Sequence, residues 1–113
     1  MKFVLSTLAA ALLSLSATQA FAVVEEGAAA IEAIGKVNGM ALACQQPAIA
    51  SRARNALVNS APKTRTNGEL FENATNAAYL EQGKGAACPD TASFSKALGE
   101  AEKNLQAAFP TPK

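Results

Sequence analysis

The first 22 residues most constrain what this chain can fold into, because they have the features of an export signal. Lys2 supplies a positive start, and an apolar run (FVLSTLAAALLSLSA) follows it directly. Ala20 and Ala22 then place small residues where a signal peptidase reads the chain. We therefore predict a cleaved signal peptide at residues 1–22 and a mature chain of residues 23–113 outside the cytoplasm, either periplasmic or secreted.

The alternative for this segment is a retained membrane anchor. Residues 3–24 carry no charge and are long enough to span a bilayer of about 30 Å. Serine, threonine and glutamine dilute its second half, however, and the dense apolar stretch has the length of a signal peptide. No cysteine stands directly after the cleavage site, so a lipid anchor is not expected there. We expect no membrane span in the mature chain.

Cleavage would leave 91 residues, enough for one small domain with a marginal core. Without Lys2, nine basic side chains balance nine acidic ones, and this neutral balance argues against general nucleic-acid binding. Alanine, the best helix former, is abundant, and β-branched runs are few. The composition therefore predicts an all-α fold.

Cys44 and Cys88 are the only cysteines, and both lie in the predicted mature chain. In an oxidising compartment such a pair is expected to form a disulfide, here across a loop of about 45 residues. A redox-active or metal-binding pair is the alternative. The chain has no CxxC motif and no histidine, and two thiolates alone make a poor zinc site. We therefore predict a structural disulfide.

Apolar periodicity and helix-breaking residues predict four helices. They cover about residues 24–45, 47–59, 66–82 and 91–109. Thr66 and Glu69 fit a capping box at the start of the third helix, and Asp90 or Thr91 can cap the fourth. Residues 110–113 form a short flexible tail. The expected architecture is a small antiparallel array of three to four helices held by one disulfide.

The apolar stripes of these helices predict which side chains form the core. The main candidates are Ala30, Ile34, Val37, Ala41, Ile49, Ala53, Ala56, Leu57, Phe71, Ala74, Ala78, Phe94, Ala97, Leu98, Ala101, Leu105, Ala108 and Phe109. Leu70 and Ala77 are expected beside the stripe of the third helix. Tyr79, the only tyrosine, is expected at the core edge with its hydroxyl in water.

Gly35, Gly39 and Ala43 lie four residues apart and form a strip of small residues along the first helix. Such a strip lets another helix backbone approach closely. We expect this packing to occur inside the domain, and the alternative is a self-association face. Glycine in a helix interior costs about 0.5–1 kcal/mol relative to alanine, so two of them indicate a steric reason or a bend.

A basic stretch, residues 47–68, contains Arg52, Arg54, Lys63 and Arg65 and no acidic residue. These four residues are a candidate anion-binding patch for a lipid head group, a polysaccharide or an acidic protein face. Ordinary solvated charge is the expected interpretation, because no aromatic side chain interleaves with the basic ones.

The side chains available limit the chemistry of the chain. Without histidine there is no histidine general base, no Ser–His or Cys–His nucleophile and no histidine metal site. None of the nine acidic residues is marked out by its surroundings as a catalytic carboxylate. We therefore predict that the protein is not an enzyme, and that it has no catalytic residues, no metal and no cofactor.

Two non-enzymatic classes of function remain. The first is a small exported binding or protective protein that acts through protein–protein or ligand contacts. Its layout is similar to that of small periplasmic acid-stress chaperones, but no motif is shared, so this architectural resemblance assigns no residue a role. The second is a structural or assembly component of a bacterial envelope complex. The expected partner is another envelope protein or a second copy, with an anionic ligand as a further candidate.

Overall fold

The computed structural model of the protein describes residues 13–110, with side chains from Glu26 onward. Within this range the chain is all-helical and contains no strand. The helices are α1 (Leu13–Ala43), α2 (Pro47–Ser60), α3 (Arg65–Gly83) and α4 (Thr91–Ala108). The predicted all-α class is confirmed. Of the predicted signal peptide, residues 1–12 lie outside the described residues, as do residues 111–113 of the predicted tail.

A tight turn ends α1 and sends the chain back along it. Gln45 adopts the left-handed conformation, with φ 58°. Its N–H donates to the carbonyl of Leu42 at 3.4 Å, and the N–H of Gln46 donates to the carbonyl of Ala41 at 2.8 Å. These two bonds satisfy carbonyls of the last helical turn, as in a Schellman motif. Pro47 then begins α2, which packs against α1.

The start of α3 differs from the sequence prediction. Thr64 is its N-cap, because its backbone is extended and its Oγ1 accepts the N–H of Asn67 at 3.2 Å. The predicted capping box of Thr66 and Glu69 is wrong, since Thr66 is already inside the helix. The Glu69 carboxylate instead accepts from Arg65 Nε at 3.2 Å on the exposed face of the first turns.

Side chains also organise the connection from α3 to α4. The buried Gln82 donates from Nε2 to the carbonyls of Ala86 and Ala87, at 2.8 and 3.2 Å. At the end of the connection, Asp90 caps α4 by accepting the N–H of Ser93 at 2.7 Å. A helix cap and a buried amide therefore hold the segment that presents Cys88.

Helix α1 is the centre of the fold. It packs against α2, α3 and α4, and α2 also packs against α4, whereas among the described helices α3 contacts α1 alone. One buried cluster joins all four helices, and its largest fully buried side chains are Ile31, Ile34, Leu98 and Leu105. Ala77 and Ala97, expected to face inward, are exposed.

The disulfide between Cys44 and Cys88 is confirmed. It joins the residue after α1 to the connection that precedes α4, over a sequence separation of 44. At the other end of α4, the ring of Phe109 lies against Gly27, near the middle of α1. Helix α4 therefore runs antiparallel to α1, with a covalent bond at one end and an aromatic contact at the other.

Loss of the disulfide should destabilise the domain strongly. Replacing Cys44→Ser and Cys88→Ser together should lower the free energy of unfolding by about 4 kcal/mol, because the unfolded chain regains the entropy of an open loop. Urea unfolding followed by far-UV circular dichroism measures this change. A reductant should bring the wild type to the same midpoint and leave the double variant unaffected. A wild-type midpoint that ignores the reductant would contradict the prediction.

Candidate functional site

The interface between α1 and α3 is built on two glycines of α1. A Cβ placed on Gly35 would lie 2.7 Å from the carbonyl oxygen of Phe71 and 2.9 Å from the Cβ of Ala74. A Cβ placed on Gly39 would overlap the carbonyl oxygen of Thr75. The backbone of α3 therefore occupies the space where side chains of α1 would otherwise be.

This geometry places the small-residue strip inside the domain. Contacts advance along α3 from Phe71 to Thr75 as α1 advances from Gly35 to Gly39, so this pair of helices is parallel. Helix α2 lies between α1 and α3 in the sequence and returns the chain toward the end where α1 began. The array is therefore not antiparallel throughout. With α3 in place, Gly35 and Gly39 have no open face for a second copy. Ala43, at the end of α1, is partly buried.

A buried amide reinforces the same interface. Asn38 is only 3% exposed, and its Nδ2 donates to Thr75 Oγ1 at 3.1 Å. The Thr75 hydroxyl donates in turn to the carbonyl of Gly35 at 3.2 Å. The Oδ1 of Asn38 is buried without a hydrogen-bond partner among the described residues. Sequence reasoning missed this residue, although the signal was an asparagine on the stripe that holds Ile34 and Ala41.

An apolar groove runs along one side of α3. We call it the α1–α3 groove, and it has a volume of about 610 Å³. It is lined by Glu32, Lys36, Leu70, Asn73, Ala74, Ala77, Ala78 and Glu81. Leucine and alanine supply its apolar lining, and one asparagine and three charged side chains supply the rest. The groove is open because α3 contacts no described helix besides α1.

A cleft of different chemistry lies on the opposite side of α3. We call it the polar cleft, and it has a volume of about 400 Å³. It is lined by Asn38, Arg54, Phe71, Glu72, Thr75 and Asn76. Arg54 belongs to α2, which does not contact α3, so the cleft separates these two helices across α1.

The four residues of the candidate anion-binding patch do not form one unpaired cluster. Arg52 makes an ion pair with Glu102 of α4 at 2.6 Å, and Arg65 pairs with Glu69. Arg54 lines the polar cleft, whereas Lys63 lines a separate hollow beside the connection from α2 to α3. Two of the four cations are thus paired with carboxylates, and only the pairing of Arg52 with Glu102 joins residues distant in the sequence.

Several large apolar side chains are exposed on the α1–α3 pair. Leu42 is 44% exposed, Tyr79 50% and Leu80 65%, whereas α2 contributes only Val58, at 55%. Tyr79 is thus more open than its expected place at the core edge. Single exposed apolar residues are ordinary, but here they accompany the helix with the fewest helical neighbours.

None of the described carboxylates is fully buried. All of them are exposed except Glu102, which is partly buried against Arg52. The pKa of Asp90 lies below its usual value because its carboxylate accepts the backbone N–H of Ser93.

No family model, curated protein or solved structure matches this chain. Among the described residues, no cluster of three or more potential metal ligands is present. Within the same range, no helix combines the length and hydropathy needed to cross a membrane. The two surfaces beside α3 are the candidate binding sites of the described chain.

The close approach of the helices predicts opposite effects at two glycines. Gly39→Ala should lower the free energy of unfolding by about 1–3 kcal/mol, because the added methyl group collides with the backbone of α3. Gly99→Ala is the matched control inside α4, where a Cβ meets no neighbour. It should raise stability by up to about 1 kcal/mol through helix propensity. Thermal unfolding of both variants measures these changes. Equal stabilities of the two variants would contradict the close contact between α1 and α3.

The helix cap predicts a specific pH dependence. Because the pKa of Asp90 is lowered by folding, its stabilising effect is present above the pKa of the unfolded chain and is lost as the pH falls through the folded value, below about pH 4. Asp90→Asn keeps an oxygen acceptor but does not titrate. The stability of wild type relative to this variant should decline on acidification. Thermal unfolding of both proteins at a series of falling pH values tests this prediction. An unfolding temperature that changes with pH in the same way for both proteins would contradict it.

Proposed function

We propose that the chain is a small exported binding protein without catalytic activity, and that its α1–α3 groove holds an amphipathic helix of another envelope protein. The observation that carries this proposal is the position of α3, which packs against α1 alone. One side of α3 is thereby left open as an apolar groove.

The lining of the groove suits a helical occupant. Its apolar lining from α3 consists of Leu70 and three alanines, which stand beside Asn73 and Glu81. Small side chains allow an incoming helix to approach closely, and the leucine provides a larger apolar contact. Recognition of this kind, in which an amphipathic helix lies with its apolar face in a groove, is a recurring mode of peptide binding. Exposed Ala77 and partly buried Leu70 are surfaces that such a helix would remove from water.

The charges at the edges specify the chemistry of the partner. Glu32 and Glu81 stand at the groove with one cation, Lys36. The local balance is negative, so a partner helix with lysine or arginine beside its apolar stripe is complementary. The ion pair between Glu81 and Lys84, at 3.5 Å, is exposed and can exchange for an intermolecular one at little cost.

Two features support a location outside the cytoplasm. The first is the N-terminal segment, with its basic start, apolar run and small residues at positions 20 and 22. The second is the disulfide, since such bonds persist in oxidising compartments. A periplasmic or secreted protein with a cleaved signal peptide is the simplest combination of the two.

A charge placed in the groove should abolish partner binding. Ala77→Glu adds a carboxylate to an exposed position of the groove wall, so the fold should persist while the apolar contact is lost. Burying that carboxylate without a partner costs roughly 2 kcal/mol or more, which corresponds to about thirtyfold in affinity. Ala97→Glu is the matched control at an exposed position of α4.

The measurement is a crosslinking pull-down from envelope extracts with wild type and both variants. A partner that wild type and Ala97→Glu retain and Ala77→Glu loses supports the proposal, provided the crosslink maps to the groove. If a second copy of the chain is recovered with this pattern, the groove is a self-association surface instead. Identical recovery by all three proteins would overturn the proposal.

A further inference from the structure

We infer that the polar cleft is a second binding site, and that its ligand is a small zwitterion that carries an ammonium and a carboxylate group, such as a free amino acid or a dipeptide. The site lies on the side of α3 opposite the α1–α3 groove. It does not depend on the function proposed for that groove.

Asn38, one of the residues that line the cleft, carries a hydrogen-bond acceptor of fixed identity. The Thr75 hydroxyl donates its proton to the carbonyl of Gly35, so it can only accept from Asn38. This assigns the Nδ2 of Asn38 to Thr75 and leaves Oδ1 as the free atom of the amide. A buried acceptor without a donor is unfavourable, and a ligand N–H group would satisfy it.

The walls of the cleft carry opposite charges on different helices. Arg54 extends from α2 and Glu72 from α3, and no ion pair joins them in the described part of the chain. A guanidinium binds a carboxylate through paired hydrogen bonds. The carboxylate of a ligand therefore fits Arg54, while its ammonium group fits Glu72 and the Oδ1 of Asn38. The amide of Asn76 adds a further donor and acceptor beside them.

The size of the cleft favours a small molecule. A volume of about 400 Å³ lies near the lower end of the range of small-molecule sites. The side chains of Arg54, Glu72 and Asn76 are exposed. They can therefore rearrange around a ligand without disturbing the core. Oδ1 itself is closed to solvent, so a ligand donor reaches it only when the side chains that cover it move.

A ligand held in this way would connect two helices that do not otherwise contact each other. Arg54 belongs to α2 and Glu72 to α3, and only α1 lies between them. Binding should therefore raise the unfolding temperature as well as produce a calorimetric signal.

The test is a calorimetric titration of the oxidised protein with alanine, alanyl-alanine, the C-terminal amide of alanyl-alanine and its N-acetyl derivative. We expect saturable binding of alanine or alanyl-alanine in the millimolar range or tighter. Each blocked derivative should bind at least about tenfold more weakly, because one charged end is lost. The tighter of the two unblocked probes identifies the class of zwitterion. Absence of binding by both, or equal binding of a blocked derivative, overturns the inference.

Three variants locate the binding. Arg54→Gln and Glu72→Gln replace exposed side chains, so both should fold, and each should weaken binding about tenfold. Lys63→Gln is the control, since Lys63 is a basic residue of the same stretch that lies outside the cleft. It should bind like wild type. Unchanged binding by Arg54→Gln, or equal loss in the control, would place the ligand elsewhere and overturn the inference. Ala77→Glu should have no effect here, which separates this result from that of the groove.

Discussion

The close approach of α3 to α1 at Gly35 and Gly39 is the contact on which the rest of the molecule depends. Each glycine weakens α1 by about 0.5–1 kcal/mol relative to alanine. Burial of Phe71, worth about 1.5–3 kcal/mol for a side chain of this size, offsets that cost. The hydrogen bonds from Asn38 through Thr75 to Gly35 add to it. Because these favourable contacts offset the cost of the two glycines, packing against α1 alone is enough to hold α3 in place.

Because one helix holds α3, both of its flanks are open, and the helical register gives them different chemistry. Leu70, Ala74 and Ala77 recur at spacings of four and three, so they share one flank. Glu72 and Asn76 are four residues apart and share the other. The face between the flanks belongs to Phe71, Thr75 and Ala78, which meet α1. An apolar surface and a polar one thus result from a single helix.

Local sequence patterns were sufficient to predict the helices and the disulfide. They did not predict features that depend on contacts between residues distant in the sequence. Periodicity predicted the four helices, although α1 begins at Leu13 and not near residue 24, and the compartment rule paired the cysteines correctly. Thr64 and Thr66 are equally good caps by residue type, and only the backbone conformation distinguishes them. The pairing of Arg52 with Glu102 spans 50 positions, which no local pattern reveals. The isolation of α3 from α2 and α4 is likewise a property of packing, and the candidate surfaces follow from it.

The attachment of α3 to a single neighbour also bears on how the domain moves. Lifting α3 away breaks one helical interface, whereas releasing any other described helix breaks at least two. The detached helix would stay tethered, by the connection at residues 61–64 on one side and by the segment bonded to Cys44 on the other. Such an element opens locally at a lower free energy than the whole domain unfolds. The amide protons of α3 should accordingly exchange with solvent before those of α1, and native-state hydrogen exchange would report directly on whatever occupies either flank.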